Sequence, residues 1–158
     1  MEMVSVPDSS LHAVFRLVLA TALGAAVGVN RELRAKPAGL RTHALVALGA
    51  GLLALIGLAL TAPNDTEKFG AASRVLQGLV AGIGFIGGGV ILHREESKEV
   101  HGLSTAASIW IVSAIGIAAG CGLWITASSA AGLALSILAL GEPLDRLLRG
   151  RRKSRADL

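Results

Sequence analysis

The sequence predicts an all-α fold, a polytopic membrane helical bundle of about five transmembrane helices. Three observations lead there. Five apolar stretches, residues 12–29, 44–62, 75–92, 103–119 and 122–140, each come near the roughly 20 apolar residues that a helix needs to cross a hydrocarbon core. Hydrophobic residues make up 53% of the 158 and charged residues only 16%, and the mean hydropathy of +0.64 lies well above that of a soluble domain. The charges also gather between the stretches rather than within them, and the longest such interruption reads NRELRAKPAGLRTH, residues 30–43.

The first span, 12–29, is preceded by Glu2 and Asp8 rather than by a basic region, and no small-residue cleavage site leads into a soluble body. It is therefore expected to stay in the protein and not to be removed as a signal peptide. The second span, 44–62, is entered through Pro37 and Gly39, which should turn the chain so that Arg41, Thr42 and His43 arrive together at a helix start. The third, 75–92, contains Gly82-Ile83-Gly84-Phe85-Ile86-Gly87, the spelling of a dinucleotide fingerprint. That motif works only between a strand and a helix, so inside an apolar span it reads as helix packing. The run Gly87-Gly88-Gly89 admits two readings, ordinary packing or a local unwinding that exposes carbonyls to an ion. Residues 103–140 form one apolar run broken only by AAGCGLW. As a single helix it would be about 57 Å long, nearly twice the hydrocarbon thickness, so a tight hairpin at Gly120 and Gly122 is predicted, with Trp124 in the outer aromatic belt. Residues 1–141 then make up the membrane domain and 142–158 a basic cytoplasmic tail, with connections too short to hold a soluble module.

The basic residues orient this arrangement. Arg31, Arg34, Lys36, Arg41, Arg94, Lys98 and the tail residues Arg146, Arg149, Arg151, Arg152, Lys153 and Arg155 share one side of a five-span chain. Only Arg16, Lys68 and Arg74 fall on the other, and Arg16 and Arg74, at helix ends, can snorkel. The positive-inside rule places the amino terminus outside and the carboxyl terminus in the cytoplasm. The net charge of +4 then describes contact with anionic lipid rather than nucleic acid, because no aromatic residue is interleaved with the bases of the tail RLLRGRRKSRADL. Cys121 is the single cysteine, so neither an intrachain disulfide nor a thiolate metal pair is available.

Twenty glycines require a purpose in such a protein, since lipid provides no hydrophobic force between helices and close backbone approach must replace it. Small residues recur every four positions at Ala20, Gly24 and Gly28, at Gly78 and Gly82, at Gly84 and Gly88, and at Gly116 and Gly120. Each series predicts a ridge on which two helices pack closely, giving a compact bundle rather than an open pore.

Three blocks resemble the MgtC/SapB family of bacterial inner-membrane proteins. They are Arg31-Glu32 with Lys36-Pro37-Ala38-Gly39-Leu40-Arg41-Thr42-His43; Ser73-Arg74 with Gly82 to Leu92; and Gly102-Leu103-Ser104-Thr105-Ala106-Ala107-Ser108-Ile109-Trp110. The resemblance covers roughly residues 12 to 140. It implies a five-helix hydrophobic domain, an association with magnesium limitation, virulence or acid survival, and a part in magnesium or ion homeostasis. It also implies an acidic residue where Asn30 stands and an Asp where Ala71 stands, so half of the family's carboxylate set is replaced here. The short chain looks like the SapB-like form without a soluble carboxy-terminal domain.

Together, residues and resemblance mark a polar pocket at the cytoplasmic ends of the first, second and fourth spans, formed by Asn30, Arg31, Glu32, Arg41, Thr42, His43, Ser104 and Thr105. Glu32, the one acid amid Arg31, Arg34, Lys36 and Arg41, reads either as an ion-pair clasp or as a Mg2+ ligand; four neighbouring cations favour the clasp. His43 reads as a helix-start hydrogen-bonding residue or as a pH-responsive group. Ser104, Thr105 and Ser108 are expected to bond back to their helix or across to a neighbour. No catalytic order of residues appears, so no enzyme is expected, and no cofactor beyond a possible Mg2+. The expected partners are the lipid bilayer and either a second copy or another membrane protein; the alternative to ion handling is a non-transporting regulator.

Overall fold

A computed structural model describes residues 10–60, 66–92 and 102–156, and side chains throughout these except at 66–69, 71, 92 and 142–156. The described backbone forms five α-helices. α1 runs Ser10–Leu33, α2 Leu40–Ala59, α3 Thr66–Leu92, α4 Leu103–Gly120 and α5 Trp124–Ala156, and each contains a segment long and apolar enough to cross a membrane. Glu2, Asp8, Asn64, Asp65, Arg94, Lys98 and Asp157 lie outside the described residues.

Several boundaries differ from the hydropathy reading. α2 starts at Leu40, so Arg41, Thr42 and His43 already belong to its first turn. α3 starts at Thr66 rather than 75, and the backbone of α5 continues past 140 to Ala156. Apolar length reports where a helix leaves lipid, whereas the helix continues wherever its backbone amides still pair. α3 also stays helical through Gly87-Gly88-Gly89, which removes the unwinding alternative.

Two connections show why the chain turns where it does. At the end of α1 the amide of Ala35 donates to Glu32 O at 2.9 Å and that of Lys36 to Arg31 O at 3.1 Å. This is a Schellman closure, and its left-handed residue is Ala35 at φ 51°, where glycine is usual. Between α4 and α5 the hairpin falls at Cys121 and Gly122, with Gly122 at φ 79°. Glycine takes that conformation without the steric cost of a Cβ, which is why one apolar run becomes two spans.

α1, α2 and α4 form the centre, α3 lies against α4 and α2, and α5 against α4 and α1. The core is built from small residues. Ala20, Ala47, Ala50, Ala54, Ala119 and Ala127 are all buried, beside Val27, Ile109, Val112 and Ile115. Backbone meets backbone at its middle: a Cβ on Gly116 would strike the Ala47 carbonyl, and one on Gly120 would strike that of Gly51. Toward α1, Gly24 faces Ala47 and His43 and Gly28 faces Leu40 and Gly39, while Gly51 faces both Ala20 of α1 and the Gly116 carbonyl of α4. α2 is thus held between two small-residue ridges, one from α1 and one from α4, as expected where dispersion and close approach drive association in lipid. Exposed Leu11, Phe85, Ile125, Leu133 and Ile137 cover the outside, as a lipid-facing surface requires.

The ridges expected on α3 are a correction. A Cβ at Gly78, Gly82, Gly84 or Gly88 would meet no atom within 4 Å among the described residues. The inward face of α3 is instead Leu79, Ile83, Gly87 and Val90, with Ile83 buried beside Ala38 and Ile109 and Gly87 facing Ala106. A four-residue spacing identifies a helix stripe and leaves open which way the stripe points.

Candidate functional site

One end of the bundle carries a buried polar joint made by α1, the α1–α2 connection, α2 and α4. Arg31, on the last turn of α1, is 2% exposed. Its Nη2 donates to Thr105 Oγ1 at 2.9 Å and to Ser104 Oγ at 3.2 Å, tying α1 to the first turn of α4. A guanidinium taken out of water needs such acceptors, and the contact is charge-assisted. His43 is fully buried on the first turn of α2. Its Nδ1 lies 2.9 Å from Gly39 O and its Nε2 2.9 Å from Ser108 Oγ, while the Ser108 hydroxyl donates to Thr105 O at 2.7 Å.

The circuit closes at Glu32. Its Oε2 accepts the amide of Leu40 at 2.9 Å, placing a carboxylate on the first free N–H of α2, where the helix dipole favours negative charge. Gly39 precedes that helix without a side-chain cap of its own, and a Cβ there would displace the Glu32 carboxylate. Arg31 and Glu32, adjacent in sequence, therefore reach α4 and α2 respectively. Arg34 adds a third tie, donating to Ala139 O of α5 at 3.0 Å.

Of the residues expected in the pocket, the structure joins Arg31, Ser104 and Thr105 directly and links His43 to Thr105 through Ser108. Ser108 was named in the sequence only as a helix-start hydroxyl; its spacing of three from Thr105 was the available signal. Asn30 is half-buried at the end of α1, and its Oδ1 is enclosed without a hydrogen-bond partner among the described residues. Thr42 is half-buried outside the circuit. Arg41 is exposed and has no hydrogen bond or ion pair among the described residues, so the clasp it was expected to form with Glu32 is replaced by the Glu32–Leu40 amide contact. The reason is local: with α2 beginning at Leu40, its bare N-terminal amide is the nearest positive pole, and Arg41 projects from the helix surface.

The opposite end holds a smaller joint. Arg16 Nη1 donates to Gly120 O at 3.3 Å, so a side chain expected to snorkel closes the carboxyl end of α4 instead. Its guanidinium lies against Gly122, and Phe15 meets Trp124 edge to face with centroids 5.3 Å apart. Burial pushes the Cys121 thiol in this turn above its ordinary value, with Arg16 opposing. Among the described residues no group of three or more His, Cys, Asp or Glu comes together.

A bundle of five apolar helices with a buried cationic joint at one end defines a multi-pass α-helical membrane protein. Residues 17–147 match the model of the MgtC family, and the chain belongs to that family. It is 43% identical over 116 residues to "Protein SrpB" of Synechococcus elongatus, a match covering 70% of this chain and 64% of that one. It is 40% identical over 114 residues to "Putative magnesium transporter YhiD" of Escherichia coli strain K12, covering 70% and 52%. It is 39% identical over 117 residues to "Protein MgtC" of Salmonella typhimurium strain LT2, covering 74% and 47%. The matches thus span about half to two thirds of these curated relatives. No solved structure matches.

Proposed function

We propose that this chain acts in magnesium or general ion homeostasis in a bacterial cytoplasmic membrane, as a non-enzymatic regulator that binds another membrane protein and does not itself conduct the ion. Family membership and the relatives named MgtC and putative magnesium transporter support the connection with magnesium. The observation that carries the regulatory reading is the closure of the centre. α2 packs against α1 and α4 with backbone against backbone at Gly116 and Gly120, and Arg31 with Thr105 and His43 with Ser108 bond across the helices. Mg2+ sheds its water reluctantly and takes oxygen ligands in octahedral geometry, whereas among the described residues the joint offers a guanidinium, an imidazole, hydroxyls and the Asn30 amide oxygen, with one carboxylate on a helix amide. The name of the Escherichia coli relative favours a second reading, a Mg2+ transporter.

Flux separates the two. Proteoliposomes containing the purified chain should take up Mg2+ no faster than empty liposomes, while expression of the chain should still alter growth of a host under magnesium limitation. Uptake above the empty control that rises with the amount of inserted protein would establish the transporter and end the regulatory reading.

A further inference from the structure

We propose that His43 is a proton-binding centre whose ionisation is passed through the Ser108 hydroxyl to Thr105, and so to the seat of Arg31 between α1 and α4. The hydrogen bonds themselves lead there. Gly39 O can only accept, so Nδ1 of His43 carries a proton in the observed contact. Ser108 Oγ then stands between two groups, His43 Nε2 at 2.9 Å and Thr105 O at 2.7 Å, with a single proton of its own. With a neutral ring, that proton can serve only one of the two, and the other short contact becomes acceptor against acceptor. With an imidazolium, Nε2–H donates to Ser108 Oγ, Ser108 O–H donates to Thr105 O, and all three contacts hold at once. Protonation of the fully buried ring therefore fixes the Ser108 hydroxyl on Thr105 O, whereas the neutral ring leaves it free to turn to Nε2.

The setting makes the change consequential. Thr105 is shared, since its carbonyl receives Ser108 and its hydroxyl receives Arg31. From α1 the charged groups facing this site are Arg31, bonded to Thr105, and Glu32, which packs against Gly39. Among the described residues, α4 presents the hydroxyls of Ser104, Thr105 and Ser108, and α3 brings Leu79, Ile83 and Val90 to the neighbouring contact with Ala38 and Ile109. Arg41, on the same turn of α2 as His43, is exposed. The ring thus touches the two elements that Arg31 and Glu32 hold together, and Ser108 is the path between them.

Nuclear magnetic resonance on the ring-labelled chain in lipid nanodiscs tests this, with the His43→Gln spectrum identifying the His43 signals among those of the four histidines. As the pH falls from about 8 to 5, Nδ1 of His43 should stay protonated while Nε2 passes from bare to protonated, and the Thr105 amide should move with the same midpoint. In Ser108→Ala the ring should still titrate, but the Thr105 amide should lose most of its movement. A His43 ring that keeps one form across this range overturns the proposal. So does a Thr105 amide that follows the ring equally well in Ser108→Ala, since the ring's field alone would then account for the effect. Where His43→Gln fails to fold, Ser108→Ala with sequential assignment gives the same discrimination.

Discussion

Arg31 and Glu32 show how much two neighbouring side chains can determine when they leave a helix end in different directions. Thr105 Oγ1 is the nearer acceptor of the buried Arg31 guanidinium, at 2.9 Å against 3.2 Å for the exposed Ser104. Thr105→Val keeps the shape and removes the acceptor, so it should destabilise the chain by about 1.5–3 kcal/mol, as loss of a hydrogen bond to a charged group does. Ser104→Ala should cost less than half as much in the same thermal unfolding series in detergent. Glu32 acts on an amide rather than on Arg41. Glu32→Ala should therefore cost about 1 kcal/mol, the worth of a helix cap, and the Glu32→Ala, Arg41→Ala pair should be additive within about 0.5 kcal/mol. Strong coupling in that double-mutant cycle would restore the ion-pair clasp. Ala35, in the left-handed region at φ 51°, makes an opposite prediction: Ala35→Gly should stabilise the α1 terminus, seen as a higher unfolding temperature.

Among the helices, the same residue type has opposite value on different faces. Gly116 on α4 touches the Ala47 carbonyl, so Gly116→Ala forces two backbones apart and should destabilise by about 1–3 kcal/mol or more, the range for overpacked cores. Gly82 on α3 has open space at the Cβ position. Gly82→Ala should be neutral, or stabilising by up to about 1 kcal/mol through helix propensity. Equal losses from both variants in a detergent stability assay would place α3 in a packed contact that the single chain does not show. The spacing of small residues in α1 and α4 announces tight packing, and the receiving surface, Ala47 and Gly51 of α2, has the same four-residue spacing although it is not among the series named from the sequence.

For the molecule in its membrane, the helix directions put Arg31, His43 and Thr105 at one end and Arg16, Gly122 and Trp124 at the other. The first end shares its face with most of the basic residues, so we propose that it is cytoplasmic. In a Cys121→Ser background, a cysteine at Leu123 should react with an impermeant thiol reagent applied to intact cells, and one at Lys36 only after permeabilisation. Reaction of Lys36→Cys from outside would invert the topology. The native Cys121 should label slowly near neutral pH, because burial keeps its thiol protonated and only the thiolate attacks.

The five spans, the hairpin at Gly122 and the membrane class were legible in the order of residues, because apolar length and the scarcity of charge act through the solvent and need no partner. The family blocks also bring Arg31, His43, Ser104 and Thr105 under one heading, and the structure gathers them at one end of the bundle. Folding decided which of those groups touch. Ser108 became the bridge and Arg41 fell outside, and Glu32 went to a helix amide. It also decided which glycine ridges are used, since Gly24, Gly28, Gly116 and Gly120 all converge on α2 while those of α3 face away. The physical reason is one of range. Hydropathy and backbone conformation are properties of a segment in its solvent, whereas a hydrogen bond at 2.9 Å or a glycine contact depends on how two helices far apart in sequence are rotated against each other.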